Sequence, residues 1–228
     1  MRYTRYDFKR NKSKNNKKGL LAIFGAMIVF AAITGTFIFN ISMKNPGAPQ
    51  STTAVKSQGT SAKFIAIQGG MFAKQENADK EKTALSPYGS AFIVKQGELN
   101  RVFSGIYLED NYKAIVDSMN KNSKSNSKMV FTLNKKDICD AEIAEIVTAN
   151  LKILNKLSEN GVKAIQTKDF KTWTSTLKKP DNTSKNIEVL NQLKDYVGKM
   201  PEEVTRDKAP DNYIFLYGIL KNICDISK

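Results

Sequence analysis

The chain of 228 residues carries 36 Lys and Arg against 22 Asp and Glu, a formal charge of +14, with 41% hydrophobic and 25% charged residues. That balance is globular and argues against wholesale disorder. The complete absence of His removes the commonest general base, the usual serine-triad base and the usual zinc ligand together.

Half of the charge excess sits in residues 1–18, where eight Lys or Arg face only Asp7. Residues 19–41 carry no charge, and the apolar run 20–39, at about 1.5 Å per residue, would cover about 30 Å as a helix. A transmembrane helix is expected there, with a cleaved signal peptide as the alternative. Beyond it, residues 42–62 hold only Lys44 and Lys56, so the positive-inside rule puts residues 1–18 in the cytoplasm and the rest outside. This orientation keeps the folded part away from cytoplasmic nucleic acid. Residues 42–62, rich in Pro, Gly, Ser, Thr and Gln, read as a flexible linker.

From residue 63 the apolar period becomes two, and 64–68 reads as a strand. A helix is predicted over 75–85, closed by Pro87 and Gly89, and strands over 91–95 and 99–104 form a hairpin. A second helix over 110–119 and a fourth strand over 128–133 complete a βαββαβ order. That order predicts an α+β, RNP-like domain over 63–133, a four-stranded antiparallel sheet with two helices on one face. Residues 134–228 read as an all-α region, with helices over 138–157, 169–177, 187–197 and 211–226. Cys139 and Cys224 lie in its apolar patterns as core thiols, with a disulfide as the alternative, and they form no metal-binding spacing.

Within 63–133 there is an internal echo. Gln68-Gly69-Gly70-Met71-Phe72 and Phe103-Ser104-Gly105-Ile106-Tyr107 each end a strand with Gly-x-aromatic before a helix. On these residues the segment resembles the SPOR (sporulation-related repeat) family. Gln68, Gly70 and Phe72 with Asn77 and Ala78 match its first half, and Arg101, Val102, Gly105 and Tyr107 its second. Gly69 and Lys113 depart from the family pattern. The resemblance implies a noncatalytic protein of the cell envelope that binds peptidoglycan, preferentially glycan strands stripped of stem peptides, at division or sporulation septa. The partners it implies are these glycan strands, the cytoplasmic membrane and septal proteins.

Strand alternation proposes the surface. Ile65, Ile67 and Val102 should face the helices, leaving Gln68, Arg101, Phe64 and Phe103 as the expected glycan-binding residues on an open face. Amide and guanidinium groups can bond sugar hydroxyl and acetamido oxygens, while rings cover sugar C–H surfaces. Phe72 and Tyr107, at strand-to-helix corners, are expected in the core. The 134–228 region could alternatively dock a division or wall-synthesis protein, making the chain an interaction scaffold. A wall hydrolase using Glu142, Glu145 or Asp169 is a lesser reading, because Glu142 and Glu145 at i, i+3 fit a solvated face. No catalytic residue, metal ligand or cofactor is expected.

Overall fold

The computed structural model describes residues 61–177 and 180–227. The elements run β1 (Ser61–Phe72), α1 (Gln75–Leu85), a 3-10 turn (Ser86–Tyr88), β2 (Phe92–Gln96), β3 (Leu99–Leu108), α2 (Tyr112–Lys121) and β4 (Ser127–Asn134). There follow α3 (Ile138–Leu157), β5 (Ala164–Gln166), α4 (Lys168–Thr176), α5 (Ile187–Lys199), β6 (Glu203–Thr205), a 3-10 turn (Arg206–Lys208), α6 (Ala209–Ile223) and β7 (Asp225–Ser227).

The principal sheet is antiparallel, in the order β2-β3-β1-β4-β7, and β5 pairs with β6 in a separate ribbon. Two apolar layers lie on the two faces of the main sheet. On one, Ile65, Ile67, Val102 and Tyr107 pack against Ala78 and Leu85 of α1 and Met119 of α2. On the other, Phe64, Ala66, Phe92, Phe103, Ile106, Phe131 and Leu133 share one cluster with the buried faces of α3, α5 and α6. Burying a large apolar side chain is worth about 1.5–3 kcal/mol, so this aromatic face is a major source of stability.

The segment after β4 folds back because its helices are made to be covered. Asp137 caps α3 by accepting from the Asp140 N–H at 2.9 Å, which satisfies one of the free donors of the first turn. Thirteen of the twenty residues of α3 are buried. A helix apolar on most sides belongs in an interior. It packs on β3, β4, α5 and α6. Its tail is held by Arg206, whose Nε donates to the Leu157 carbonyl at 2.8 Å and whose Nη2 donates to the Glu159 carbonyl.

The expected fold is therefore corrected. The sheet has five strands, not four, because the chain end returns as β7 and pairs Ile226 with Phe131. The helix expected over 211–226 stops at Ile223, where Cys224 turns extended (φ −99, ψ 149) and leads into the strand. Residues 134–228 are not all-α, since β5, β6 and β7 lie there. Nor is the second sheet face open: an apolar face of that size must be covered, and α3 and α6 cover it. Among the described residues no helix is long and apolar enough to cross a membrane. The segment expected to span, 19–41, lies outside the described residues, as does the linker up to residue 60.

Candidate functional site

The four residues expected to touch a glycan part into two pairs. Phe64 is 1% exposed and Phe103 fully buried. Phe103 stacks on Phe92 with ring centroids 5.1 Å apart and lies tilted against Tyr217 of α6 at 5.2 Å. Phe92 in turn stacks on Tyr213 at 5.3 Å, and Tyr217 meets Phe131 edge-on at 5.5 Å. Offset and edge-to-face pairs of this kind add about 0.5–1.5 kcal/mol each beyond area burial. These two phenylalanines occupy the face that alternation assigns them, but that face is closed by the chain itself. They hold the C-terminal half on the sheet.

Gln68 and Arg101 are half-buried and lie together, with Arg101 Nη1 donating to Gln68 Oε1 at 3.1 Å. Two irregularities bring them to this position. β1 and β3 pair Ile67 with Gly105, then Gln68 with Phe103, then Gly70 with Val102, so Ser104 and Gly69 each fall outside the pairing. The paired bulges keep Gln68 and Arg101 on the same face as Phe103 while bending the strands. Arg101 is flanked in register by Met71 of β1 and Val94 of β2, and Gln68 by Ser127 of β4. Arg101 Nε is buried without a hydrogen-bond partner.

This end of the sheet remains uncovered because α6 crosses obliquely. Its Tyr213 sits on Phe92 of β2, and its Tyr217 reaches Met129 and Phe131 of β4. α3 lies alongside α6, away from the Arg101 end, and Ser158 at its C-terminus meets Ser90 before β2 at 3.1 Å. Beyond α6 the sheet surface continues as a shelf formed by Gln68, Met71, Val94, Gln96, Leu99 and Arg101. Met71 is 46% exposed, Leu99 38% and Ile214 on α6 43%, three of the five large exposed hydrophobics among the described residues. Burial raises the pKa of the Tyr217 hydroxyl, and the Arg101 charge opposes that rise.

The Gly-x-aromatic echo serves the opposite face. A Cβ at Gly70 would stand 2.7 Å from the Phe72 ring, and one at Gly105 2.7 Å from Tyr107 Oη. Each aromatic folds back over its glycine toward α1 and α2, an approach only glycine admits. Tyr107 Oη donates to the Tyr88 carbonyl at 3.1 Å, and burial pushes its pKa up to about 12. Tyr107 is core, and Phe72 packs against the same cluster. Both residues are architectural.

The carboxylates considered for hydrolysis do not converge. Glu142 is 1% exposed and paired with Lys194 at 2.9 Å, Glu145 is half-buried on α3, and Asp169 is exposed at the start of α4. Two surface clefts of about 580 and 710 Å³ flank Arg206, and neither is lined by Glu142, Glu145 or Asp169. Cys139 and Cys224 are free thiols, with burial as the main cause pushing their pKa values up to about 11 and 12. They are not poised nucleophiles.

Sequence reasoning missed Met71 and Ile214 as surface residues of the shelf, and Tyr213 and Tyr217 as its boundary. A signal was present. The strands read as nearly unbroken apolar runs, such as Phe64-Ile65-Ala66-Ile67 and Phe92-Ile93-Val94, and such runs belong to strands buried on both faces. Comparison with known proteins finds no matching family model, no matching curated protein and no matching solved structure.

Proposed function

We propose that this chain is a noncatalytic protein of the bacterial cell envelope that binds peptidoglycan glycan strands stripped of stem peptides, and that it is placed by them at division or sporulation septa. The observation that carries the reading is the Gln68–Arg101 pair, which joins the two strand motifs that resemble the SPOR family on an uncovered stretch of sheet. The chemistry suits an acetylated glycan. The amide and guanidinium offer donors and an acceptor for hydroxyl and acetamido groups, while Met71 and Leu99 offer apolar cover for sugar C–H surfaces. Removing stem peptides by amide hydrolysis leaves carboxylates on the glycan, to which Arg101 can bond with charge assistance.

The location rests on the sequence, in which a basic tail precedes an uncharged stretch over 19–41. Protease added to protoplasts is expected to remove residues 61–227; full protection in sealed protoplasts contradicts the exterior location. The scaffold reading has less support, because the apolar faces of α3 and α6 are spent on the chain's own sheet.

The binding test is co-sedimentation of the full-length chain with amidase-treated sacculi, comparing wild type with Gln68→Ala/Arg101→Ala. Hydrogen bonds are worth about 0.5–1.5 kcal/mol each, or about 1.5–3 when one group is charged, so the double variant should bind at least about ten-fold more weakly while staying folded. Equal sedimentation by a folded double variant removes the pair from the site. No sedimentation by wild type removes the function.

A further inference from the structure

α6 contains a glycine that its own fold does not require. Gly218 lies inside the helix spanning Ala209–Ile223, where glycine is less stable than alanine. Its φ is not positive, and a Cβ built on it meets nothing within 4 Å. Neither backbone conformation nor internal packing excludes a side chain. The glycine leaves open space outside the protein.

Helical geometry locates that space. Ile214, Gly218 and Lys221 follow one another at i, i+4 and i+7, and so share one side of α6. The other flank is held by the C-terminal helices: Phe215 stacks on Tyr196 of α5 at 3.7 Å, Tyr196 Oη donates to Asn212 Oδ1, and Ile219 is buried. The sheet-facing side carries Tyr213, Leu216, Tyr217 and Leu220, all buried. α3 meets the sheet at Ser90, before β2, and α5 holds Phe215, so the remaining flank turns toward the Val94–Arg101 end of the sheet, and Ile214, Gly218 and Lys221 on it are all exposed.

We propose that α6 is the second wall of the glycan site. Ile214 supplies an apolar ledge, and Gly218 is a notch where a sugar ring approaches the helix main chain. Lys221 supplies a cation for the carboxylates of a stripped strand. The proposal rests on the glycan-binding reading of the shelf and extends it: the site is composite, with its floor from β1, β2 and β3 and its wall from the far end of the chain. An amphipathic strand of sugars lying on Met71 and Leu99 would meet this wall edge-on.

The prediction sets stability against binding. In the full-length chain, Gly218→Ala should raise the midpoint of thermal unfolding by about 2–4 °C, because alanine is the better helix former and the space is free. Its small methyl should change sedimentation with amidase-treated sacculi by less than about three-fold. Gly218→Trp should fold, yet weaken binding about ten-fold or more by filling the notch. Gly198→Trp is the matched control, since Gly198 on α5 also has open space around its Cβ position but lies off the shelf; it should bind as wild type. Ile214→Glu provides a second variant on the wall, exposed enough to fold and expected to weaken binding by a similar factor. Wild-type binding by folded Gly218→Trp and Ile214→Glu, or equal losses in Gly218→Trp and Gly198→Trp, overturns the wall while leaving the shelf intact. Absence of binding by wild type overturns the shelf reading and the wall with it.

Discussion

The two faces of the main sheet are closed by different means. Beneath α1 and α2 the core is small and aliphatic, built around Ile65, Ile67, Ala78, Leu85, Val102 and Met119, and both helices come from the same 61–134 stretch as the strands they cover. The opposite face is aromatic and is closed by helices that begin after β4, so its contacts join residues far apart in sequence. The first face could be assembled locally. The second requires the segment after β4 as well, and the flank of α6 leaves a shelf on β1, β2 and β3 uncovered. The candidate site and the core therefore share one face, separated only by the edge of a helix.

That contrast predicts a graded series of effects. The largest belongs to truncation. A chain ending after residue 136 would expose Phe64, Phe92, Phe103 and Phe131 at once, and it is expected to lose cooperative unfolding and to aggregate. A soluble, cooperatively folded truncation would show that the two halves are separate domains. Next come substitutions at single core positions. Phe103→Ala should cost about 3–5 kcal/mol in chemical unfolding, as expected for an aromatic removed from a packed stack and far more than for a solvent-facing ligand contact. Val102→Asp, on the other face, should cost several kcal/mol by burying a charge in an apolar cluster. Smallest is Arg101→Ala, at the shelf, with a cost of at most about 1.5–3 kcal/mol from one hydrogen bond with a charged donor. If Arg101→Ala and Val102→Asp unfold alike, the assignment of faces in β3 fails.

Local elements were legible in the sequence where local chemistry decides them. The helix expected over 75–85 coincides with α1, because Pro87 and the polar start at Gln75 mark both ends, and the long apolar pattern over 138–157 coincides with α3. The alternation of β1 and β3 placed Ile65, Ile67 and Val102 against the helices and Phe64, Gln68, Arg101 and Phe103 on the other side. What alternation cannot supply is the occupant of that other side. Phe103 looks the same whether it awaits a sugar or Tyr217, and the difference lies in tertiary contacts across 100 residues or more of chain. β7 was missed for the same reason: Asp225-Ile226-Ser227 is too short to announce a strand, and only Phe131 across from Ile226 makes it one. Strand ends were misjudged at glycines. β1 continues through Gly69 and Gly70 to Phe72, and β3 through Gly105 to Leu108, because in both places the glycine sits inside a bulged strand instead of ending it.

If ligand binds the uncovered shelf and no other part of the sheet, amide hydrogen exchange reads that directly. The full-length chain would be exchanged with and without soluble, stem-stripped glycan chains at saturating concentration. Slower exchange is expected in the β2–β3 hairpin, in β1 near Gln68–Phe72 and in the Ile214–Lys221 stretch of α6, with α1, α2 and the buried Phe64 region unchanged. Protection centred on α1 and α2, or faster exchange across α6 as it lifts from Phe92 and Phe103, would place the ligand on a different surface.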